Sequence, residues 1–180
     1  MTTLVAYATR HGATAGIAER IATTLSESGC PAQAHPVQEV TSLDGYDAVV
    51  LGGAAYMFHW LGPAIAFARA HRAALARVPV WLFSSGPLGT DRVDKDGTDV
   101  LVSTRPKEFD ELTELLHPRG EHVFFGAYDP QSKPVGIGER LVRLMPAMKD
   151  ALPEGDFRDW DTIDDWAREI AAALDAGRQR

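Results

Sequence analysis

The sequence has little cysteine, since Cys30 is the single one among 180 residues. One cysteine cannot form an internal disulfide and has no second thiol with which to form a redox pair, which indicates a reducing compartment. The six histidines are scattered along the chain and do not show the spacing of metal-ligand motifs. We therefore expect a fold that depends on its hydrophobic core and contains no metal site.

Long hydrophobic runs are also lacking. No apolar stretch reaches the ~18 residues that a membrane-spanning helix needs. Residues 1–3 lead directly into a strand pattern, without the basic segment and apolar run of a signal peptide. We expect a cytoplasmic protein with no integral membrane segment. Residues 140–149 mix apolar and cationic side chains, so a peripheral membrane contact by this short helix stays open beside packing on the domain.

Positive charge is scarce as well. Lysine and arginine number 18 against 25 acidic residues, which gives a net charge of -7. This balance excludes a general nucleic-acid binder, which is usually basic, and is compatible with docking to a basic redox partner. The composition, 45% hydrophobic and 24% charged, is typical of a globular protein. We find no internal repeat or low-complexity linker and expect one domain over residues 1–180.

The two best-known phosphate-binding motifs, G-x-G-x-x-G and G-x-x-x-x-G-K-[ST], are absent. A different pattern opens the chain. An apolar strand at residues 4–6 leads into T-x-x-G-x-T at residues 9–14, and a helix follows with Ile17, Ile21 and Leu25 on one face. Hydroxyls, a glycine turn and the unpaired N–H groups of a helix start form a donor set suited to phosphate. The alternative is a strand-to-helix turn whose threonines only cap the helix.

The remaining chain alternates strand and helix patterns. Further strands are predicted at residues 32–37, 48–51, 80–83 and 122–125, and Gly52-Gly53 is expected to close the third strand. Helices are predicted from residue 62, over 106–117, and from an N-cap at Asp161 to the end, whereas residues 90–105 are too polar to assign. This alternation predicts an α/β fold with a parallel sheet.

Ligands of such sheets bind at the carboxyl ends of the strands. Three turns are expected to meet there, at residues 9–14, 53–62 and 84–89. The second turn is rich in aromatic residues on which a flat isoalloxazine ring would stack, and the third offers backbone contacts to the polar edge of that ring. The alternative is that the aromatic side chains plug the top of the core. His59 is a candidate proton donor, with a structural hydrogen bond as its alternative.

Three stretches resemble the flavodoxin-domain family that includes the menaquinone-dependent protoporphyrinogen oxidases. They are YATRHGAT at residues 7–14, GGAAY at residues 52–56, and GDFRDW at residues 155–160 together with Trp166-Ala167. The resemblance covers essentially the whole chain, and the last stretch is typical of actinobacterial-type members. It implies a flavodoxin-like three-layer sandwich with a five-stranded parallel sheet in the order 2-1-3-4-5, and one noncovalent FMN.

The resemblance also implies site residues. Thr9, Gly12 and Thr14 match the phosphate loop of the family, Arg10 matches the oxidase branch, and His11 stands where many flavodoxins have threonine. The predicted FMN contacts come from the three turns and are Thr9, Arg10, His11, Gly12, Ala13, Thr14, Ala54, Ala55, Tyr56, Ser85, Gly86, Pro87 and Gly89.

Three functions follow from this resemblance. The first is an oxidoreductase similar to protoporphyrinogen oxidase, which passes electrons from a small-molecule substrate through FMN to a quinone. Candidate cations for the substrate carboxylates are Arg92, Lys95 and Arg140. The second is a flavodoxin-type electron carrier with a redox protein as its partner. The third is a scaffold that has lost FMN. A receiver domain is excluded, because the third strand ends in Leu51-Gly52 where such domains need an aspartate.

Overall fold

A computed structural model of the chain describes residues 2–129 and 153–178. The predicted helix at residues 140–149, with the candidate residue Arg140, lies outside the described residues.

Five parallel strands form the central sheet in the order β2-β1-β3-β5-β6, and the short strand β4 pairs antiparallel with β3. Counted over the parallel strands alone, this order is 2-1-3-4-5, and the predicted α/β fold and strand order are confirmed. The strands are β1 (Thr3–Ala8), β2 (Ala32–Pro36), β3 (Ala48–Tyr56), β4 (His59–Trp60), β5 (Val80–Ser85) and β6 (Gly120–Phe124).

Helices cover both faces of this sheet. On one face pack α1 and α6, and on the other α2, α3 and α5, while α4 is a single short turn near β6. None of the helices in the two described ranges is long and apolar enough to cross a membrane. The helices are α1 (Ala13–Glu27), α2 (Gly62–Ala70), α3 (Arg72–Leu75), α4 (Val100–Ser103), α5 (Glu108–Leu116) and α6 (Trp160–Arg178).

The continuous apolar runs of the inner strands follow from this double cover. Neighbouring residues of a strand point to opposite faces. In β1, Leu4 packs in the cluster under α2 and α5, and Val5 packs in the cluster under α1 and α6. Both side chains are fully buried. A strand buried on both faces needs no polar alternation, which is why these strands were recognisable as parallel.

The third strand is longer than expected. Instead of closing at Gly52-Gly53, β3 continues to Tyr56 and turns back into β4. The two glycines serve packing here and do not break the strand. A Cβ atom on Gly52 would lie 2.0 Å from the Phe83 ring, and one on Gly53 would lie 2.7 Å from the indole nitrogen of Trp60. The prediction of the strand end was wrong because the contacts of these glycines with Phe83 and with Trp60 arise when β3 pairs with β5 and folds back into β4.

Residues 90–105, which the sequence pattern left unassigned, are held by local hydrogen bonds of aspartate side chains. Asp94 Oδ1 accepts from the backbone N–H of Asp96 and Thr98, at 3.0 and 2.9 Å. Asp99 caps α4 by accepting from the N–H of Leu101. The segment is therefore a series of tight turns around one helical turn.

A second, two-stranded sheet precedes the last helix. Strands β7 (Ala127–Tyr128) and β8 (Gly155–Asp156) pair antiparallel. The chain then enters α6, whose N-cap is Asp159, because this side chain accepts from the N–H of Thr162 at 3.1 Å. The predicted N-cap, Asp161, lies in the first turn of the helix, so that assignment was wrong by two residues.

Candidate functional site

The structure brings the three predicted turns together at the carboxyl ends of β1, β3 and β5. The guanidinium of Arg10 in the first turn stacks over the ring of Tyr56 in the second, with 4.8 Å between its carbon and the ring centroid. The hydroxyl of Thr14 lies 2.8 Å from the hydroxyl of Ser85 in the third. One contact thus joins the first turn to each of its two neighbours.

The first turn leaves the start of α1 open. Gly12 has a φ of +87°, a left-handed conformation that favours glycine, and stands directly before the helix. Its N–H donates to Thr9 Oγ1 at 3.0 Å, so this hydroxyl shapes the turn. In the described part of the chain, no side chain caps α1, and its first turn carries no acidic residue. The unpaired N–H groups and partial positive charge of a helix start are therefore available to an anion.

Thr14 and Ser85 are both buried. Their mutual hydrogen bond ties the first turn of α1 to the end of β5. A hydroxyl has one proton and two lone pairs, so each oxygen keeps capacity for a further hydrogen bond. This pair fixes how close the start of α1 stands to the third turn.

The aromatic side chains of the second turn have separate environments. Trp60 is buried, donates its indole N–H to the Gly53 carbonyl at 2.9 Å and meets the Phe109 ring edge-on at 5.2 Å. It plugs the core, as the alternative reading expected. Tyr56 and Phe58 are 40% and 49% exposed, and Met57 between them is 87% exposed. The tip of the hairpin is therefore an exposed apolar surface.

The start of α5 anchors this hairpin. Glu108 Oε2 accepts from the backbone N–H of Trp60 at 2.9 Å, and Oε1 lies 2.7 Å from Nδ1 of His59. The backbone N–H of Lys107 donates to the Phe58 carbonyl at 3.0 Å. Burial raises the pKa of Glu108, but the hydrogen bonds from Trp60 and His59 outweigh burial, so the pKa lies below its usual value. His59 therefore makes a structural hydrogen bond with Glu108, which the sequence analysis gave as the alternative to a role as proton donor.

In the third turn, backbone groups are partly used by the fold. The Gly86 N–H donates to the Phe124 carbonyl at 3.2 Å, and the Pro87 carbonyl accepts from the Gly126 N–H at 2.9 Å. The Gly86 N–H therefore secures this turn to β6. Gly89 follows with a φ of +100°, at which the chain turns toward the polar segment.

Two of the cations proposed for substrate carboxylates, Arg92 and Lys95, lie within the described residues, on the segment that follows the third turn. Arg92 lies 3.5 Å from the carboxylate of Asp159, the N-cap of α6. Lys95 is exposed on the turn built around Asp94.

The model of the flavodoxin domain matches residues 4–135, which is most of the chain. The chain belongs to the flavodoxin domain family. The match contains β1 to β6 and all three turns of the site.

Solved structures agree in fold. A flavodoxin from the domain Archaea superposes with a TM-score of 0.59 at 15% identity, over 97% of this chain and 99% of that one. A single-residue mutant of the Pseudomonas aeruginosa flavodoxin superposes with a TM-score of 0.58 at 17% identity, over 97% of this chain and 99% of that one. The flavodiiron core of a Synechocystis protein superposes with a TM-score of 0.62 at 11% identity, over 98% of this chain and 36% of that longer chain. A search of curated proteins finds no match.

The C-terminal part of this flavodoxin domain protein adds a feature that our sequence analysis did not assign. A cavity of about 490 Å³ lies between the 9–14 turn and the β7–β8 sheet. Arg158, beyond the matched residues, reaches its wall and donates to the Ala13 carbonyl at 3.2 Å. The signal was the charged GDFRDW stretch, whose long-range contact with α1 no local pattern indicates. The lining residues are His11, Gly12, Ala13, Ala127, Tyr128, Asp129, Glu154, Gly155, Asp156 and Arg158.

Proposed function

We propose that this flavodoxin domain binds one FMN noncovalently at the carboxyl edge of its sheet and uses it to transfer electrons. The observation that carries the proposal is the meeting of the uncapped start of α1 with the Tyr56 hairpin and the Ser85 turn. A phosphate needs the open start of α1, and a flat ring beside the phosphate needs the Tyr56 hairpin and the Ser85 turn.

The residues divide by the part of FMN that they would hold. The first turn would bind the phosphate through backbone N–H groups and hydroxyls, with Thr9, Arg10, His11, Gly12, Ala13 and Thr14. The second and third turns would hold the ring, with Ala54, Ala55, Tyr56, Ser85, Gly86, Pro87 and Gly89. Bound FMN supplies the capacity to accept and release electrons, and the chain orients the group and limits its contact with water.

Threonine variants test the phosphate assignment. We expect replacement of Thr9 and Thr14 together by alanine to weaken FMN binding by about tenfold or more, since each lost hydrogen bond to a charged group is worth roughly 1.5–3 kcal/mol. The control is Thr23→Ala, an exposed position on the same helix whose hydroxyl donates to the Glu19 carbonyl within α1. Fluorescence titration with FMN measures the affinities. Equal affinity of the double variant and the wild type would rule out the assignment.

The physiological reaction has two candidates. An electron carrier would pass electrons to a redox protein, and the net charge of -7 favours a basic partner. An oxidase similar to protoporphyrinogen oxidase would take them from an organic substrate and give them to a quinone. The resemblance of Arg10 and of residues 156–160 to that branch supports the second candidate, as does the exposed apolar hairpin tip beside the site.

An activity assay separates these candidates. Conversion of protoporphyrinogen to protoporphyrin is followed with the FMN-loaded protein and menaquinone, against a flavin-free control that corrects for spontaneous oxidation in air. An FMN-dependent rate supports the oxidase. A rate equal to the control, with continued electron exchange with a redox protein, supports the carrier.

A further inference from the structure

Arg10 is an exposed cation that lies over an aromatic ring of the candidate site. Its guanidinium carbon is 4.8 Å from the centroid of the Tyr56 ring. Other arginines in the described part of the chain, such as Arg20 and Arg158, are each paired with an aspartate, whereas no described carboxylate pairs with Arg10. The positive charge of Arg10 is therefore not offset by an ion pair.

The three turns of the site contain no acidic residue. Residues 9–14, 53–62 and 84–89 read TRHGAT, GAAYMFHWLG and SSGPLG, and Arg10 is the one lysine or arginine among them. The chain as a whole has a net charge of -7, so the turns differ in charge from the rest of the molecule. A ligand held between these turns has a cation beside it and no carboxylate from the turns themselves.

The carboxylates described around this edge of the sheet have other positions. Asp129 and Glu154 line the cavity beside the 9–14 turn, and the wall of that cavity includes neither Arg10 nor Tyr56. Glu108 lies at the base of the hairpin and accepts from its backbone at 2.9 Å. The contact between Arg10 and Tyr56 thus combines a free positive charge with an aromatic surface.

The charge of a flavin ring depends on its redox state. The oxidised ring of FMN is neutral, and uptake of two electrons and one proton, which binds at N5, leaves the reduced ring with one negative charge. A cation near the ring stabilises this anion more than the neutral ring. By linkage, a site that binds the reduced form more tightly than the oxidised form raises the midpoint potential of the bound flavin.

We propose that the Arg10 side chain tunes the flavin, so that this site binds reduced FMN more tightly than oxidised FMN. This inference rests on the proposed function and deepens it, because it gives the Arg10 guanidinium a role at the ring while its backbone belongs to the phosphate turn. Bound FMN then has a midpoint potential above that of free FMN. Such a flavin is suited to accept electrons from an organic substrate and pass them to a quinone.

A redox titration of the FMN-loaded protein with dithionite tests this role. With an indicator dye at low ionic strength, absorption spectra give the midpoint potential, which we expect to lie above that of free FMN in the same buffer. Arg10→Gln should weaken binding of reduced FMN relative to oxidised FMN by about three- to tenfold, which lowers the midpoint of this two-electron couple by about 15–30 mV. Arg10→Lys keeps the charge and should retain most of the effect.

Arg119→Gln is the matched control. Arg119 is also an exposed arginine over an aromatic ring, 5.8 Å from the centroid of Trp81, but it precedes β6 and so lies at the opposite edge of the sheet from the three turns. Its loss removes the same charge from the molecule and should leave the midpoint unchanged. An equal fall of the midpoint in both variants would show an effect of net charge and overturn the role of Arg10.

The remaining outcomes separate this inference from the proposed function. A wild-type midpoint at or below that of free FMN would overturn the inference while FMN binding stands. So would an Arg10→Gln variant that loses affinity equally for oxidised and reduced FMN, because that result assigns the side chain to the phosphate. A folded wild type that takes up no FMN would overturn the proposed function, and this inference with it.

Discussion

Met57 and Phe58, at the tip of the hairpin, have φ values of +50° and +66°. Positive φ at both central residues is the pattern of a type I′ hairpin turn, in which Asn-Gly is the usual pair. A side chain with a Cβ pays roughly 1–2 kcal/mol for this conformation. The strained turn lies beside the candidate site, and backbone strain of this kind is concentrated at functional sites. The positive φ values also explain why sequence analysis predicted a turn at residues 53–62 but not the hairpin within it, since Met-Phe is not a hairpin-turn signal.

A pair of variants at position 58 measures this strain. We expect Phe58→Gly to have a free energy of unfolding about 1 kcal/mol above that of Phe58→Ala, because both remove the exposed ring but only glycine tolerates the positive φ. Urea denaturation of the two variants gives the difference. Equal or greater stability of the alanine variant would show that the turn is not strained.

Asp164 is the most strongly perturbed carboxylate among the described residues. Hydrogen bonds from Arg20 lower its pKa to about 2, against burial, with help from the Thr24 hydroxyl at 2.7 Å. Because the folded pKa lies below the unfolded value of 3.8, the stabilisation is fully present above about pH 4 and is lost as the pH falls through about 2. Through these hydrogen bonds Asp164, on α6, joins that helix to α1 on one face of the sheet.

Removal of the Asp164 carboxylate should lower the free energy of unfolding by about 1–2 kcal/mol at neutral pH. This is less than the full pKa shift of Asp164 would give, because Arg20 is half exposed and solvent screens the pair. We expect Asp164→Asn to lower the free energy of unfolding accordingly and to flatten its pH dependence between pH 4 and 2. The control, Asp165→Asn, removes an exposed neighbour paired with Arg168 and should change stability little. Denaturation at several pH values distinguishes them, and identical profiles would contradict the assignment.

At the scale of elements, the hairpin depends on a helix that lies 48 residues further along the chain. Glu108 accepts from both His59 and the Trp60 backbone, so its loss leaves a partly buried N–H without its acceptor. We expect Glu108→Ala to lower stability by about 1–3 kcal/mol and to speed amide exchange in residues 56–60. Hydrogen exchange measured by mass spectrometry locates the change.

Glu111→Ala is the matched control for this prediction. Glu111 stands on the same helix and pairs with Arg69, but both side chains are about half exposed. A surface ion pair of this kind is worth at most about 1 kcal/mol. Equal exchange in residues 56–60 for the two variants would show that Glu108 does not anchor the hairpin.

The strands and helices differ in how well the sequence alone predicted them. Continuous apolar runs such as residues 80–83 revealed the inner strands, because burial on both faces is a local property of the sequence. The extent of β3 was missed, since Gly52 and Gly53 are explained by Phe83 and Trp60 and not by their own neighbours. Asp159 and Asp161 flank Trp160, and spacing alone does not identify the one that caps the helix. Arg158 was unassigned because its partner Ala13 lies 145 residues away.

At the scale of the whole molecule, the parallel sheet is what assembles the site. The strand order places β1 between β2 and β3, so the turn after β1 meets the turns of β3 and β5 at one edge. That order was predictable from the alternation of elements and the family resemblance. The contacts around these turns, including Arg10 on Tyr56 and Arg158 on α1, are formed by tertiary packing.

Binding of FMN at this site is measured by a titration of the flavin-free wild-type protein with FMN. Fluorescence and absorbance of the flavin give the stoichiometry, and circular dichroism of the same sample verifies the fold. We predict saturable binding of one FMN per chain, accompanied by a change in the flavin absorption spectrum as the ring leaves water. A folded protein that shows no saturable binding and no spectral change would contradict the account.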